Sequence, residues 1–399
     1  MKTKNTYINY PLAGSSWDQQ EVDAIKSVVD SGMHSMGKNV RKYEEEFAAW
    51  MGSKYAVMVN SGSSANLIGF FATKFHSKNS NNEKKKIIVP SVSWSTTYFP
   101  INQAGYELVF VDVDEDTLNI NVDQVEEIIV ESKDIFAVCA VNLLGNPCEL
   151  TRLTKICEKN EVLLIEDNCE SLGSVLKGKK LGNFGLASTT SFFVGHHLST
   201  IEGGSVLTND KELQDMLMIT RAHGWSRNID SNLQTELLQK HKVDIFYNKY
   251  SFYELGYNLR PTEINGFLGN NQLAYLDLMI SKRQENYFLY QHASEKNPNI
   301  LSLNIGHMDL VSNFAFPLVF KSENLAISYR DIFISNEIEI RPIVAGNITQ
   351  QPFFIKYFGE SYRMPNAELI HKQGFYIPNN PELTSSELKT ITDNISKVL

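Results

Sequence analysis

Short apolar runs rich in β-branched residues recur along the chain at Tyr55–Val59, Ile87–Pro90, Leu108–Val113, Ile135–Val141, Val162–Glu166, Thr189–Phe193 and Ser205–Thr208. Their length and composition predict strands. Between most of them apolar positions return at helical spacing, predicting helices over Ala65–Phe75, Val122–Glu131, Leu150–Glu158 and Lys211–Arg221. Val138–Val141 and Val162–Ile165 are almost continuously apolar, as suits strands buried on both faces. This order predicts an α/β fold on a mostly parallel, seven-stranded sheet covered by helices. Upstream, Ser16 with Gln19 reads as a capping box before Val22, Ile25, Val28 and Val29. After Leu278 the texture changes. Strands are expected over Phe314–Phe320 and Glu337–Pro342, and a closing helix over Glu387–Val398. The expected division is a large unit over residues 1–275 and a smaller α+β unit over 276–399.

Composition narrows the function more than the fold. The chain has 399 residues, 42% hydrophobic and 21% charged, as in ordinary globular proteins. Its net charge of −9 argues against a nucleic-acid partner. The run Lys84–Lys86, after the polar stretch Ser77–Glu83, reads as a solvated loop. An anionic substrate would then need local arginines rather than a global field. Met1–Tyr10 has no apolar leader segment, and no run approaches 18 apolar residues, so neither secretion nor a membrane span is expected. Cys139, Cys148, Cys157 and Cys169 form no CxxC pair, so neither a metal nor an iron–sulfur site is expected. Reduced thiols in the cytoplasm are the expectation.

In open α/β sheets the ligand sits beyond the carboxyl ends of the strands, so the residues after each strand hold the candidate chemistry. Asn60-Ser61-Gly62-Ser63-Ser64 follows the first strand and leads into a helix, offering free N–H groups to a phosphate. Alone, it is equally a serine-capped turn. Trp94 ends the next strand's loop and suits stacking on a flat heterocycle, or packing on a neighbouring loop. Asp167, at the end of a buried strand, requires a cation or hydrogen-bond donors. A protonated pyridine nitrogen is one such cation. Metal ligation by Asp167 with Glu170 is a rival, but partners at metal-like spacing are missing. Beyond Ser191 come His196 and His197, which point in different directions on an extended chain. One of them at most faces a given site. A lone histidine is more often structural, yet it is the side chain best suited to proton transfer near neutral pH.

Taken in order, these segments resemble the sugar aminotransferase family typified by the DegT, DnrJ, EryC and StrS proteins. The resemblance runs nearly end to end, through Ser31-Gly32, Met36-Gly37, Tyr43–Gly52, Asn60–Leu67, Val89–Trp94, Asn142–Pro147, Glu166–Gly173, Ser191–Gly204 and Gly256–Gln272. It implies the aspartate-aminotransferase fold (PLP fold type I), with pyridoxal 5'-phosphate (PLP) or its pyridoxamine form (PMP) as cofactor. The family's cofactor-binding lysine position holds His196 here, with Glu202-Gly203-Gly204 at the expected offset. Lys177, Lys179 and Lys180 fall in a polar, glycine-containing stretch that reads as a hairpin and do not replace it.

The histidine, with Arg221-Ala222-His223-Gly224-Trp225, is similar to the pattern of the family's sugar 3-dehydratases. One such branch carries an iron–sulfur cluster on four cysteines including a Cys-x-Cys, which this chain lacks. The resemblance therefore implies C3 deoxygenation of a GDP-linked 4-keto-6-deoxyhexose, with His196 moving protons and L-glutamate restoring the cofactor amine. By the same resemblance, Trp94 stacks on the pyridine ring and Asp167 keeps it protonated. Gly62, Ser63 and Ser191 hold the phosphate, and Glu170 lies near the ring. Asn258 reaches the phosphate of a neighbouring subunit, which implies a homodimer. Arg227 and Arg341 suit the nucleotide diphosphate, or equally surface ion pairs. An aminotransferase that tolerates histidine, and a silent sugar-nucleotide binding protein, stay open as alternatives.

Overall fold

The computed structural model describes residues 10–14, 16–77 and 84–399. Residues 78–83, most of the polar stretch read as a loop, and the segment before Tyr10 lie outside them. The central sheet has seven strands: β1 (Tyr55–Val59), β2 (Lys86–Pro90), β3 (Glu107–Val111), β4 (Ile135–Val141), β5 (Leu163–Asp167), β8 (Ala187–Ser191) and β9 (Gly204–Thr208). A short hairpin, β6 (Val175–Leu176) with β7 (Lys179–Lys180), lies between β5 and β8 in the chain. The sheet order is β1-β9-β8-β5-β4-β2-β3, and only β9 runs antiparallel to its neighbours. This mostly parallel, seven-stranded sheet covered by helices is the α/β architecture expected from the sequence.

All seven residues of β4 are buried, as its unbroken apolar sequence requires. Apolar helix faces close over both sides of the sheet. One cluster joins Ile88, Val138 and Leu164 to Leu150 and Leu153; another joins Ile87, Val89 and Ile165 to Tyr98 and Ile101. A second, antiparallel sheet contains β10 (Ala315–Val319), β11 (Arg341–Pro342) and β12 (Gly374–Pro378) in the order β10-β12-β11. It has its own core around Phe316, Phe320, Tyr329, Phe333 and Ile391.

Several boundaries differ from the sequence expectation. The strand expected over Thr189–Phe193 is β8, two residues earlier. Two of its buried hydroxyls are satisfied by the sheet and a neighbouring helix: Thr190 Oγ1 donates to Ser205 O and Thr189 Oγ1 to Asn66. The capping box is Asp18 with Glu21, not Ser16 with Gln19. Asp18 Oδ1 accepts from Gln20 N, and Glu21 reaches back to Asp18 N. The helix over Gly62–Thr73 begins three residues early because Ser61 caps it. Of Glu337–Pro342 only Arg341–Pro342 joins the sheet, while Ile338 bridges to Tyr10. The lysine hairpin is as expected. Lys177 and Gly178 take positive φ in its turn, and Lys180 packs its amine over the Trp50 ring at 4.0 Å.

Candidate active site

A cavity of about 410 Å³ opens beyond the carboxyl ends of β1, β2, β5 and β8. Gly62, Ser63, Trp94 and Asp167 line it, and so do Glu170, Ser191, His196 and Arg341. Two helices start at its edge. Ser61 Oγ accepts from Ser64 N at 3.0 Å and caps the Gly62–Thr73 helix. The helix over Ser95–Gln103 begins beside it, with Ser63 Oγ and Thr96 Oγ1 bonded at 2.8 Å. First-turn N–H groups have no partner within a helix, so two such starts favour an anion. Gly62 is required by the close approach: a Cβ there would lie 2.6 Å from Ser191 Cβ. A Cβ on Gly204 would lie 2.5 Å from Ser61 O, which accounts for one of the two glycines after Glu202.

Asp167 closes β5 with its carboxylate buried. Oδ2 accepts from Asn66 Nδ2 at 2.9 Å and Thr97 Oγ1 at 2.7 Å, and Oδ1 accepts from Cys169 N at 3.2 Å. Three donors thus fix the orientation of the carboxylate at the cavity wall. Neighbouring Glu166 has a different task. Fully buried, it accepts from the backbone N–H groups of Gly182, Phe184 and Gly185 and from Asn142, fixing the chain between the hairpin and β8.

Glu170 is half-buried and accepts from Leu144 N at 3.0 Å. Burial pushes its carboxyl up to about 8, and the charge of Asp167 adds to that, against the Leu144 bond. Glu170 therefore carries a proton at neutral pH. Leu144 sits at φ 48, a conformation costly for a leucine, which aims its N–H at the carboxylate.

His196 follows β8 in an irregular loop. Its ring packs against Phe314 at 5.0 Å and Phe193 at 5.9 Å between centroids. Burial, then the Arg283 charge, holds the imidazole down at about 4, opposed by Asp167. The ring is therefore neutral at pH 7. His197 turns the other way, into the core, and is absent from the cavity lining.

A model of the DegT/DnrJ/EryC1/StrS aminotransferase family matches residues 15–396. The chain belongs to that family. It is 40% identical to the GDP-4-keto-6-deoxy-D-mannose 3-dehydratase of Yersinia pseudotuberculosis, over 98% of this chain and 99% of the relative. It is similar in structure to the E. coli GDP-4-keto-6-deoxy-D-mannose-3-dehydratase with bound hydrated PLP, at TM-score 0.89 and 37% identity, covering 97% of this chain and 99% of that one. A further structure is a GDP-4-keto-6-deoxymannose-3-dehydratase with a trapped PLP-glutamate geminal diamine. It matches at TM-score 0.87 and 36% identity, over 97% and 100% of the two chains.

The cavity fits the family's cofactor. Hydroxyls and helix starts suit its phosphate, the Asp167 carboxylate suits a protonated ring nitrogen, and the Trp94 side chain, 57% exposed, is available to cover a ring. The family lysine has no substitute: among the described residues that line the cavity there is no lysine. Two of the expected residues lie elsewhere in the chain. Asn258 Oδ1 accepts from Arg260 Nε at 2.9 Å, and Arg227 stacks on Trp225 at 4.0 Å while donating to Lys249 O. Arg341 reaches the cavity but pairs with Glu339 Oε1 at 2.6 Å.

Sequence reading missed Asn66 and Thr97, which bond to Asp167, and Thr96, which bonds to Ser63. Thr96 and Thr97 had a signal, a hydroxyl-rich helix start after Trp94. Phe314 and Tyr376, brought to the cavity by the small sheet, had none.

Proposed function

We propose that the protein is a PMP-dependent 3-dehydratase that removes the C3 hydroxyl of GDP-4-keto-6-deoxy-D-mannose. The products are a 4-keto-3,6-dideoxy sugar and ammonia, with L-glutamate restoring the cofactor amine. The observation that carries this reading is a neutral imidazole, His196, sharing a lysine-free cavity with the buried Asp167 carboxylate. When bound, the cofactor supplies an amine for the sugar ketone and a protonated pyridine ring that accepts electron density. Asp167 would hold the proton on the ring nitrogen, with Asn66 and Thr97 keeping its carboxylate aimed. Gly62, Ser63 and Ser191 hold the phosphate, and Trp94 covers one ring face. His196 takes up a proton at its imidazole and returns it to the departing hydroxyl, and one base serves both transfers. Glu170, protonated at neutral pH, donates a hydrogen bond into the cavity. Arg341 is released from Glu339 to meet the diphosphate.

The same reading makes the enzyme a homodimer in which Asn258 and Arg227 serve the partner's site. It is supported by the exposed Phe246, Tyr247, Tyr250 and Leu255 in the segment between those two residues. The division into units at residue 275 is supported by the separate core of the small sheet. A dideoxy product suits a colitose-type lipopolysaccharide pathway, and GDP-sugar with glutamate suits the cytoplasm. No described helix is long and apolar enough to cross a membrane.

Incubation with GDP-4-keto-6-deoxymannose, PLP and glutamate tests the proposal by product mass and ammonia release. A 4-amino sugar would instead mark an aminotransferase. Unchanged substrate with the cofactor bound would mark a silent binding protein.

A further inference from the structure

Catalytic histidines are commonly oriented through their second ring nitrogen. His196 has little of that support: its ring meets the Ser191 backbone, and its buried Nδ1 has no well-formed hydrogen-bond partner among the described residues. The loop that carries it has no regular structure either. What holds it comes from the helix over Leu276–Glu295. Arg283, 3% exposed, donates from one guanidinium nitrogen to His196 O at 3.0 Å. Its other terminal nitrogen donates to Phe314 O at 3.4 Å, to Asn313 O at 3.5 Å and to Asn379 O. Asn379 answers by donating to Arg283 O at 3.0 Å. One planar fork thus grips the backbone of His196 and the backbone of Phe314, whose ring packs on the imidazole.

No carboxylate lies within ion-pair distance of Arg283 among the described residues. A buried cation bound only by carbonyls costs folding stability that an apolar side chain of similar volume would not. Such a group is retained for what it holds. We propose that Arg283 is the positioning residue for His196, locking its main chain and the Phe314 ring into one register at the cavity wall. The inference rests on the reading of His196 as the proton-transfer group. The charge acts in the same sense, because a fixed cation beside the imidazole disfavours its protonated form. The other ionisable groups around His196 are Asp167 and Glu170 from the end of β5, His197 in its own loop, Tyr376 from β12, and Arg341 and Glu202 at the cavity edge. Of these, Asp167 opposes Arg283.

The test uses full-length Arg283→Met, Arg283→Lys and His196→Asn proteins. It reads kcat, KM, Tm and the His196 imidazole titration by NMR, that signal being assigned by its loss in His196→Asn. Arg283→Met is expected to lower kcat about a hundredfold with little change in KM. It should also raise the His196 midpoint from about 4, though not the whole way to 6.5, because burial is the larger cause and persists. Arg283→Lys keeps the charge, so the midpoint stays low, but it loses the fork and recovers kcat only in part. A folded Arg283→Met with parental kcat and midpoint overturns the inference. So does a fall in kcat with an unmoved midpoint and a lowered Tm, which marks a merely structural residue. If Arg283→Met does not fold, Arg283→Lys decides, and kcat within twofold of the parent overturns it. Dehydration that persists in His196→Asn sinks the reading of His196 itself, whatever Arg283 does.

Discussion

Asn66 donates to the Asp167 carboxylate at 2.9 Å, and Thr189 donates to the other end of the same amide at 2.6 Å. The second bond fixes the first, because an amide whose oxygen is occupied can present only its NH2 group to the carboxylate. Asp167→Asn should therefore keep the fold and lose function. Losing a charge-assisted bond of about 1.5–3 kcal/mol predicts a fall in kcat of roughly tenfold to a hundredfold. Asn66→Ala should cost less, about tenfold. Steady-state rates with Tm as control check both, and parental turnover in Asp167→Asn would remove that residue from the mechanism.

Those partners show where sequence reading stops. Asp167 was legible because a carboxylate ending an apolar strand is anomalous on its own. Asn66 and Thr97 were not, since they stand 101 and 70 residues away and nothing local marks them. The seven strands were legible from apolar runs, except that β8 reads Ala-Ser-Thr-Thr-Ser and its expected register slid toward Phe192 and Phe193. Arg283 has no mark in the sequence that sets it apart. Only the fold brings it to His196.

Gly62→Ala places a methyl 2.6 Å from Ser191 Cβ, with little room to move between a helix start and a strand end. We expect about 1–3 kcal/mol of destabilisation. PLP affinity should fall in parallel, because the same shift pries apart the phosphate donors. Calorimetric Tm and a cofactor titration measure the two effects.

His196→Lys restores a primary amine at the family's lysine position. Dehydration should vanish while the bound cofactor's absorbance moves to longer wavelength, reporting a covalent bond to the protein. Continued dehydration in that variant would exclude His196 as the base.

Glu170 predicts a pH dependence of stability. Its carboxyl is raised from 4.5 to about 8, so the folded state binds the proton more tightly than the unfolded chain. Its stabilising share is complete below pH 4.5 and fades as pH rises through 8. Glu170→Gln should flatten the decline in Tm between pH 6 and 9. His196 works in the opposite sense: its contribution is present above 6.5 and is lost as pH falls toward 4. Identical Tm–pH curves for parent and Glu170→Gln would refute the first assignment.

Leu12 N donates to Glu339 Oε2 at 2.8 Å, and Leu12 and Ala13 line the cavity. The same carboxylate holds Arg341 through its other oxygen. Leu12 and Ala13 thus form part of the cavity wall. An expression tag placed close to them, or a protease trimming past Ala13, would unseat that wall and leave Glu339 with Arg341 alone. A preparation shortened in this way can melt normally and still fail to turn over.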